Sequence, residues 1–192
     1  YHLYFQNEDQ GAGDNLEHYT SADLRSLTYV GPALQPTTGA WDRYGLWAPH
    51  VIKNPADGLY YMFYAGVTAA GGNPTAQQRI GVATSTDLTN WTKVSLNNCD
   101  GTSGDGCVYE CDESWTLWGN GGSYYDQCRD PFVQWDAARG RWLLFTTVQL
   151  DNTVIGGPWT QGVSVASSTD LLHWTGLGYI KATKRLWSEE GG

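Results

Sequence analysis

One pattern occurs three times along this chain and restricts its fold more than any other feature. An aromatic-rich run is followed by a run of small and β-branched residues, then by Ser-x-Asp-Leu, then, two residues on, by a large apolar residue. The first copy runs from Tyr1-His2-Leu3-Tyr4-Phe5 to Ser21-Ala22-Asp23-Leu24-Arg25-Ser26-Leu27. The second runs from Tyr60-Tyr61-Met62-Phe63-Tyr64 to Ser85-Thr86-Asp87-Leu88-Thr89-Asn90-Trp91. The third runs from Arg141-Trp142-Leu143-Leu144-Phe145 to Ser168-Thr169-Asp170-Leu171-Leu172-His173-Trp174. Units repeated every ~40 to 60 residues, each a small antiparallel sheet, are the mark of a β-propeller. The expected fold is all-β: a β-propeller of four-stranded antiparallel blades, of which this chain covers about three. Chemistry in such a fold collects where the innermost strands of the blades meet around the central axis.

The strand patterns agree with that reading. Tyr60 to Tyr64 is apolar on both faces, as a strand sandwiched between neighbouring sheets must be. Arg79–Ser85 and Gln161–Ser168 alternate larger or β-branched residues with small ones, so one face packs deeply and the other admits a neighbouring backbone. The Ser and Asp that end each run are expected to accept hydrogen bonds from nearby amides and start a turn. No amphipathic helix is expected.

Three further segments read as innermost strands: Leu46–Ile52, Cys128–Val133 and Ser188–Gly192. The chain then divides into a first blade over 1–40 without its innermost strand, a second over 41–97, a Cys-rich insertion over 98–126, a third blade over 127–182 and the start of a fourth over 183–192. That is short of the four to eight blades of a closed propeller, so the chain is expected to be a piece of a larger domain with a processed or truncated start at Tyr1. The insertion has a length that usually shapes a binding rim or is tethered by disulfides.

A formal charge of −9, from 11 Lys and Arg against 20 Asp and Glu, argues against nucleic acid as a partner, because phosphate binding needs clustered cations. No apolar run reaches the ~18 residues that span a bilayer, so no membrane partner is expected. Ten Trp and twelve Tyr supply a core, while 24 Gly suit short strands joined by tight turns. Cys99, Cys107, Cys111 and Cys128 form an even, clustered set that reads as a disulfide framework with three possible connectivities. Cys107-x-x-x-Cys111 lacks the paired C-x-x-C spacing of a metal site. Disulfides imply a secreted or periplasmic protein. Asn90-Trp91-Thr92 is a glycosylation sequon, but it lies inside the repeat turn, where Trp91 is needed for packing.

Two innermost strands carry acids in unusual company. Asp130 lies between Arg129, whose charge favours the ionised carboxylate, and Pro131, which fixes the backbone and removes a donor. Glu189 and Glu190 precede two glycines that leave room for a ligand, and adjacent carboxylates raise one another's pKa, which suits a proton donor. Paired acids flanking a cleft are the machinery of glycoside hydrolysis. Taken singly each is ordinary: Asp-Pro most often starts a turn, and two Glu near a chain end are usually solvated. Trp47, on a strand facing the axis, is the candidate sugar platform, with His50 and Arg129 as candidate substrate contacts. This chemistry requires no cofactor. A calcium ion in the axial channel is conceivable where His50 and carboxylates converge, although no metal-ligand spacing is present, so the metal set is empty.

Five stretches in order carry a family resemblance: Tyr-His-Leu-Tyr-Phe-Gln (1–6), Trp-Ala-Pro-His (47–50) ahead of Tyr-Tyr-Met-Phe-Tyr-Ala-Gly (60–66), Ser-Thr-Asp-Leu-x-x-Trp twice, Arg-Asp-Pro (129–131) and Trp-Ser-Glu-Glu-Gly (187–191). They resemble the five-bladed propeller glycosidases of glycoside hydrolase families 43 and 32, over nearly the whole chain except the insertion. Trp-Ala-Pro leans toward family 43, the main reading, and Tyr-His-Leu-Tyr-Phe-Gln toward family 32, the second. The resemblance implies that Asp130 orients the acid, tunes its pKa and steadies the transition state. It implies Glu190 as the general acid, with Glu189 as the alternative because Gly192 stands where proline is common. Arg129 resembles a contact to substrate hydroxyls, and His50 replaces an Asp that many arabinan-cleaving members carry.

The base or nucleophile of these families is an Asp on the first strand of the first blade, ahead of Tyr1. Asp9 and Asp14 lie in the following loop and cannot substitute, so the chain alone is expected to be inactive. The implied function is hydrolysis of furanosides or xylosides in a polysaccharide such as arabinan or xylan. Family 43 implies inversion, with carboxylates about 6.5–9.5 Å apart; the alternative is a fructan-cleaving retaining glycosidase, with a separation of about 5–5.5 Å. The rival from another class is a non-catalytic carbohydrate-binding propeller that holds a glycan with Trp47, His50 and Arg129. A protein-interaction propeller comes third.

Overall fold

The computed structural model describes residues 1–7, 14–69, 77–99, 102–118, 127–156 and 160–181. Within them the strands pair antiparallel and form three sheets. The first has the order β1 (His2–Gln6), β2 (Leu16–Thr20), β3 (Thr28–Leu34). The second has β4 (Gly45–Lys53), β5 (Tyr60–Val67), β6 (Gln78–Ser85) and β7 (Thr92–Lys93), with β8 (Cys107–Tyr109) also on β6. The third runs β9 (Cys128–Asp136), β10 (Arg141–Leu150), β11 (Thr160–Ser168), β12 (Thr175–Lys181). Strand β4 packs against both β1 and β9, so the second sheet lies between the other two, with β4 and β9 as neighbouring leading strands, as around a propeller axis.

The repeated Ser-x-Asp-Leu motif makes the same turn three times. In each copy the Ser Oγ accepts from the Leu amide, at 2.8 Å for Leu24, 2.9 Å for Leu88 and 2.9 Å for Leu171. The Asp Oδ1 accepts from the two amides that follow, at 2.8–2.9 Å in all three copies. The Leu is driven into the left-handed region, with φ of 61°, 64° and 68°. That conformation is disfavoured for leucine, and two polar side chains aimed at consecutive amides hold it. Burial is the largest single effect on Asp170 and a smaller one on Asp23 and Asp87, and it pushes upward, but the hydrogen bonds together keep all three below the usual carboxylate range.

Strand β5 shows why a run apolar on both faces belongs in the middle of the stack. Tyr61 and Phe63 join a core with Val133, Leu144 and Ala166 of the third sheet. Met62 and Tyr64 join another with Leu16, Leu34 and Trp41 on the side of the first sheet. Phe63 and Met62 are completely buried, and truncating such a Phe to Ala costs about 3–5 kcal/mol. The small face of β6 admits a side chain rather than the backbone expected there: Gly81 stands opposite Tyr64, whose ring fills the place of a Cβ.

Two further features were not read from the sequence. Within the 98–126 segment, expected as a binding rim or a disulfide-tethered loop, β8 pairs with β6 at Ile80 and Gly81, next to the short β7 at Ala83 and Thr84. It therefore completes the outer edge of the second sheet. Its cysteines take the sequential connectivity, Cys99–Cys107 and Cys111–Cys128. One helical turn, α1 (Asn152–Ile155), also forms, too short and too exposed to be an amphipathic helix; Asp151 caps it by accepting from the Thr153 amide at 2.8 Å.

Candidate active site

Strand β9 starts with Cys128 and reaches Arg129 and Asp130 at once. The pairing of β9 with β10 runs from Arg141↔Asp136 to Phe145↔Phe132 and resumes only at Thr147↔Arg129. Asp130 and Pro131 thus stand opposite the single residue Thr146, a bulge of the kind that re-aims a side chain next to an active site. Asp130 has φ of 53°, and its carboxylate is half exposed. Arg129 Nε lies 3.5 Å from Asp130 Oδ2, an ion pair without hydrogen-bond geometry. That buried Nε has no hydrogen-bond partner among the described residues, so the guanidinium stands beside the carboxylate with this donor unsatisfied.

Strand β4 repeats the device. Its pairing with β5 jumps from Trp47↔Ala65 to His50↔Phe63, leaving Ala48 and Pro49 in the bulge, with Ala48 at φ 48°. Trp47, the expected sugar platform, is half-buried, and its Nε1 donates to Asp14 Oδ2 at 2.5 Å. The Leu46 amide donates to the Asp14 carbonyl at 2.8 Å. Gly45 makes room for this pair, since a Cβ on it would crowd both Trp47 Nε1 and Asp14. Asp14, considered in the sequence only as a substitute base and set aside there, is instead the partner of Trp47; the two lie 33 positions apart, and no local motif marks the pair.

His50 points to the neighbouring sheet. Its Nε2 lies 3.1 Å from the Val133 carbonyl, which can only accept, so Nε2 carries a proton; the ring leans on Phe132 at 4.8 Å. Burial lowers its pKa from the usual 6.5, and the bond to Val133 works the other way. Among the described residues no three His, Cys, Asp or Glu side chains converge as a metal site would require. Glu189 and Glu190 lie outside the described residues. Two grooves of about 420 and 410 Å³ lie elsewhere: one is bordered by His2, Tyr4 and Lys53, the other by Glu110, Asp112 and Trp174. Neither is lined by Trp47, Arg129 or Asp130.

With this geometry in place, comparison with known families decides between the two resemblances. The model of the glycosyl hydrolases family 32 N-terminal domain matches residues 1–189. The chain belongs to glycoside hydrolase family 32. The main reading, family 43, therefore gives way to the second. Among solved structures, a family 32 β-fructofuranosidase from Bombyx mori aligns at 17% identity and a TM-score of 0.65, over 95% of this chain and 33% of that one. The fructan 1-exohydrolase IIa from Cichorium intybus aligns at 21% and 0.67, over 92% and 29%. The sucrose-6-phosphate hydrolase from Lactobacillus gasseri aligns at 20% and 0.68, over 96% and 32%. The fold is thus part of a five-bladed family 32 propeller, and the chain spans about a third of the length of these relatives. No curated protein matches the sequence.

Proposed function

We propose that this chain is part of a fructoside-cleaving glycoside hydrolase whose substrates are sucrose-like oligosaccharides or fructans, in place of the arabinan or xylan expected first. The observation that carries the reading is the Arg129-Asp130-Pro131 bulge, which presents a half-exposed carboxylate with the Arg129 guanidinium beside it on the leading strand of a blade. Family membership supports it, as do the fructoside activities that the names of the three structural relatives carry.

In this reading Asp130 accepts hydrogen bonds from the sugar hydroxyls and steadies positive charge as the oxocarbenium-like transition state forms. Arg129 donates to a neighbouring hydroxyl, and Trp47 stacks on the ring. Glu190, with Glu189 as the alternative, protonates the leaving oxygen. A second carboxylate of the longer protein attacks the anomeric carbon, giving retention with about 5–5.5 Å between the two acids. No cofactor enters these steps. Two disulfides that leave no free thiol fit a secreted or periplasmic location.

The test is turnover of sucrose, inulin, arabinan and xylo-oligosaccharides by the full-length protein, with Asp130→Asn, Glu190→Gln and Glu189→Gln beside the wild type. Release of fructose that Asp130→Asn and one Glu variant abolish is the expected result. Turnover of arabinan or xylo-oligosaccharides alone would overturn the substrate class. Glycan binding without turnover would overturn the enzyme reading in favour of a binding propeller.

A further inference from the structure

The two disulfides do different jobs. Cys99–Cys107 closes a loop onto β8 at the outer edge of the second sheet. Cys111–Cys128 instead joins the segment after β8 to the first residue of β9, two positions before Asp130. Both of its cysteines are buried, at 2% and 0% exposure, and Cys111 Sγ lies 3.5 Å from Thr146 Oγ1. Thr146 is the residue that faces the Asp130–Pro131 bulge, so the disulfide lies directly behind it.

The bulge needs such support. A non-glycine residue at positive φ costs about 1–2 kcal/mol, and proline after it adds a steric conflict of its own. Such a conformation persists only where its surroundings over-determine it. On the far side of the bulge, β9 continues through ladder pairs from Phe132 to Asp136. On the near side the ladder holds only Arg129 and Cys128. In β4 the residue at the same place relative to its bulge is Leu46, and there the carbonyl and carboxylate of Asp14, just ahead of β2, brace Leu46 and Trp47. Cys128 has a covalent brace where Leu46 has a hydrogen bond.

We propose that the Cys111–Cys128 disulfide is a positioning element that holds the Arg129–Asp130 bulge in its working geometry, which rests on the reading of Asp130 as the carboxylate facing the sugar. The second disulfide supplies an internal control of equal chemistry. The full-length protein is made as the wild type, as Cys111→Ala/Cys128→Ala and as Cys99→Ala/Cys107→Ala. Fructose release from sucrose and inulin is measured at a temperature where all three are folded, together with hydrogen exchange of the Arg129, Asp130, Phe132 and Val133 amides.

The expected result for the Cys111/Cys128 pair is a kcat about 10-fold lower with KM within about 2-fold, and exchange at 129–133 at least about 10-fold faster. The Cys99/Cys107 pair is expected to leave both within about 2-fold. If the alanine pair does not fold, Cys111→Ala/Cys128→Val keeps more of the buried volume and carries the same expectation. Loss of thermal stability alone, with kcat and local exchange unchanged, overturns the proposal, as does an equal effect of both pairs. If the wild type turns over neither sugar, the functional reading fails by itself, and the exchange comparison still decides whether the disulfide holds the bulge.

Discussion

The bulges of β4 and β9 are the same backbone device carrying different chemistry. Each skips the same step of its ladder, each puts a non-glycine residue at positive φ just before a proline, and each lies near the start of the leading strand of its sheet. In β4 that residue is Ala48, with a methyl group; in β9 it is Asp130, with a half-exposed carboxylate beside Arg129. The braces also differ: Asp14 holds the first by hydrogen bonds, and a disulfide holds the second. The fold thus builds the presentation twice and loads it with an acid once. The strained geometry belongs to the architecture, and the two bulges differ in the side chain placed on it.

The comparison is broken most directly by exchanging what each bulge presents. In the full-length protein, Asp130→Asn keeps the shape of the site and removes the charge, and should lower kcat/KM by about 10²–10³-fold, the range for losing one preorganised electrostatic contact. Ala48→Gly changes the twin position and should leave kcat/KM within about 2-fold, since no reacting group is lost. Steady-state kinetics on sucrose check both, and an equal loss from the two variants would mean that the bulges matter only as scaffolding.

A smaller effect is expected from the brace on β4. Asp14→Ala removes the carboxylate that Trp47 Nε1 donates to, so the loss should fall on binding: KM should rise about 3–10-fold, near the net value of one ordinary hydrogen bond, with kcat within about 2-fold. A fall in kcat alone would sink the view that Asp14 acts through Trp47. The strain itself gives the next test. Alanine has no polar group with which to support a left-handed backbone, whereas aspartate tolerates it better. Ala48→Gly should therefore raise stability by about 1 kcal/mol, or about 2–4 °C in Tm, and Asp130→Gly should raise it less while abolishing turnover. Thermal unfolding of the two variants decides.

How far these regions could be read in advance follows from the range of the interactions that build them. The three turns were legible because their hydrogen bonds reach only two or three residues along the chain, from Ser and Asp to the amides that follow. The middle place of β5 was legible because both of its faces are apolar. Asp130 stood out through its immediate neighbours Arg129 and Pro131. Ala48 did not, because nothing in an Ala-Pro pair announces positive φ as Gly or Asn would. Asp14 meets Trp47 only through packing of separate sheets, the disulfide connectivity has three equivalent solutions on paper, and three residues of β8 are too few to show a period. Trp-Ala-Pro pulled the reading toward the wrong family because it is one local bulge, whereas family 32 matches nearly the whole chain. The acids at 189 and 190 remain readings from sequence.

The smallest expected effect separates the two bulges by pH. One position after the proline, β4 carries His50 and β9 carries Phe132, and the two rings meet. Burial holds the His50 pKa below its unfolded value of 6.5, so the unfolded chain binds the proton more readily than the folded one. The contribution of His50 to stability is then fully present above about pH 6.5 and is lost as pH falls through the lower folded value. The bond that Val133 accepts from Nε2 works against this loss, but burial is the larger effect and sets its direction. His50→Gln keeps a donor and removes the titration, and should flatten the fall in Tm between pH 7 and 5 by about 1–2 °C. Part of the slope should survive, because burial and the neighbouring His2 also lower the pKa of His18, and a His18→Gln, His50→Gln double variant should remove most of it. An unchanged slope in the double variant would mean that the acid sensitivity comes from the turn carboxylates, whose depressed values give the same sign but at a lower pH.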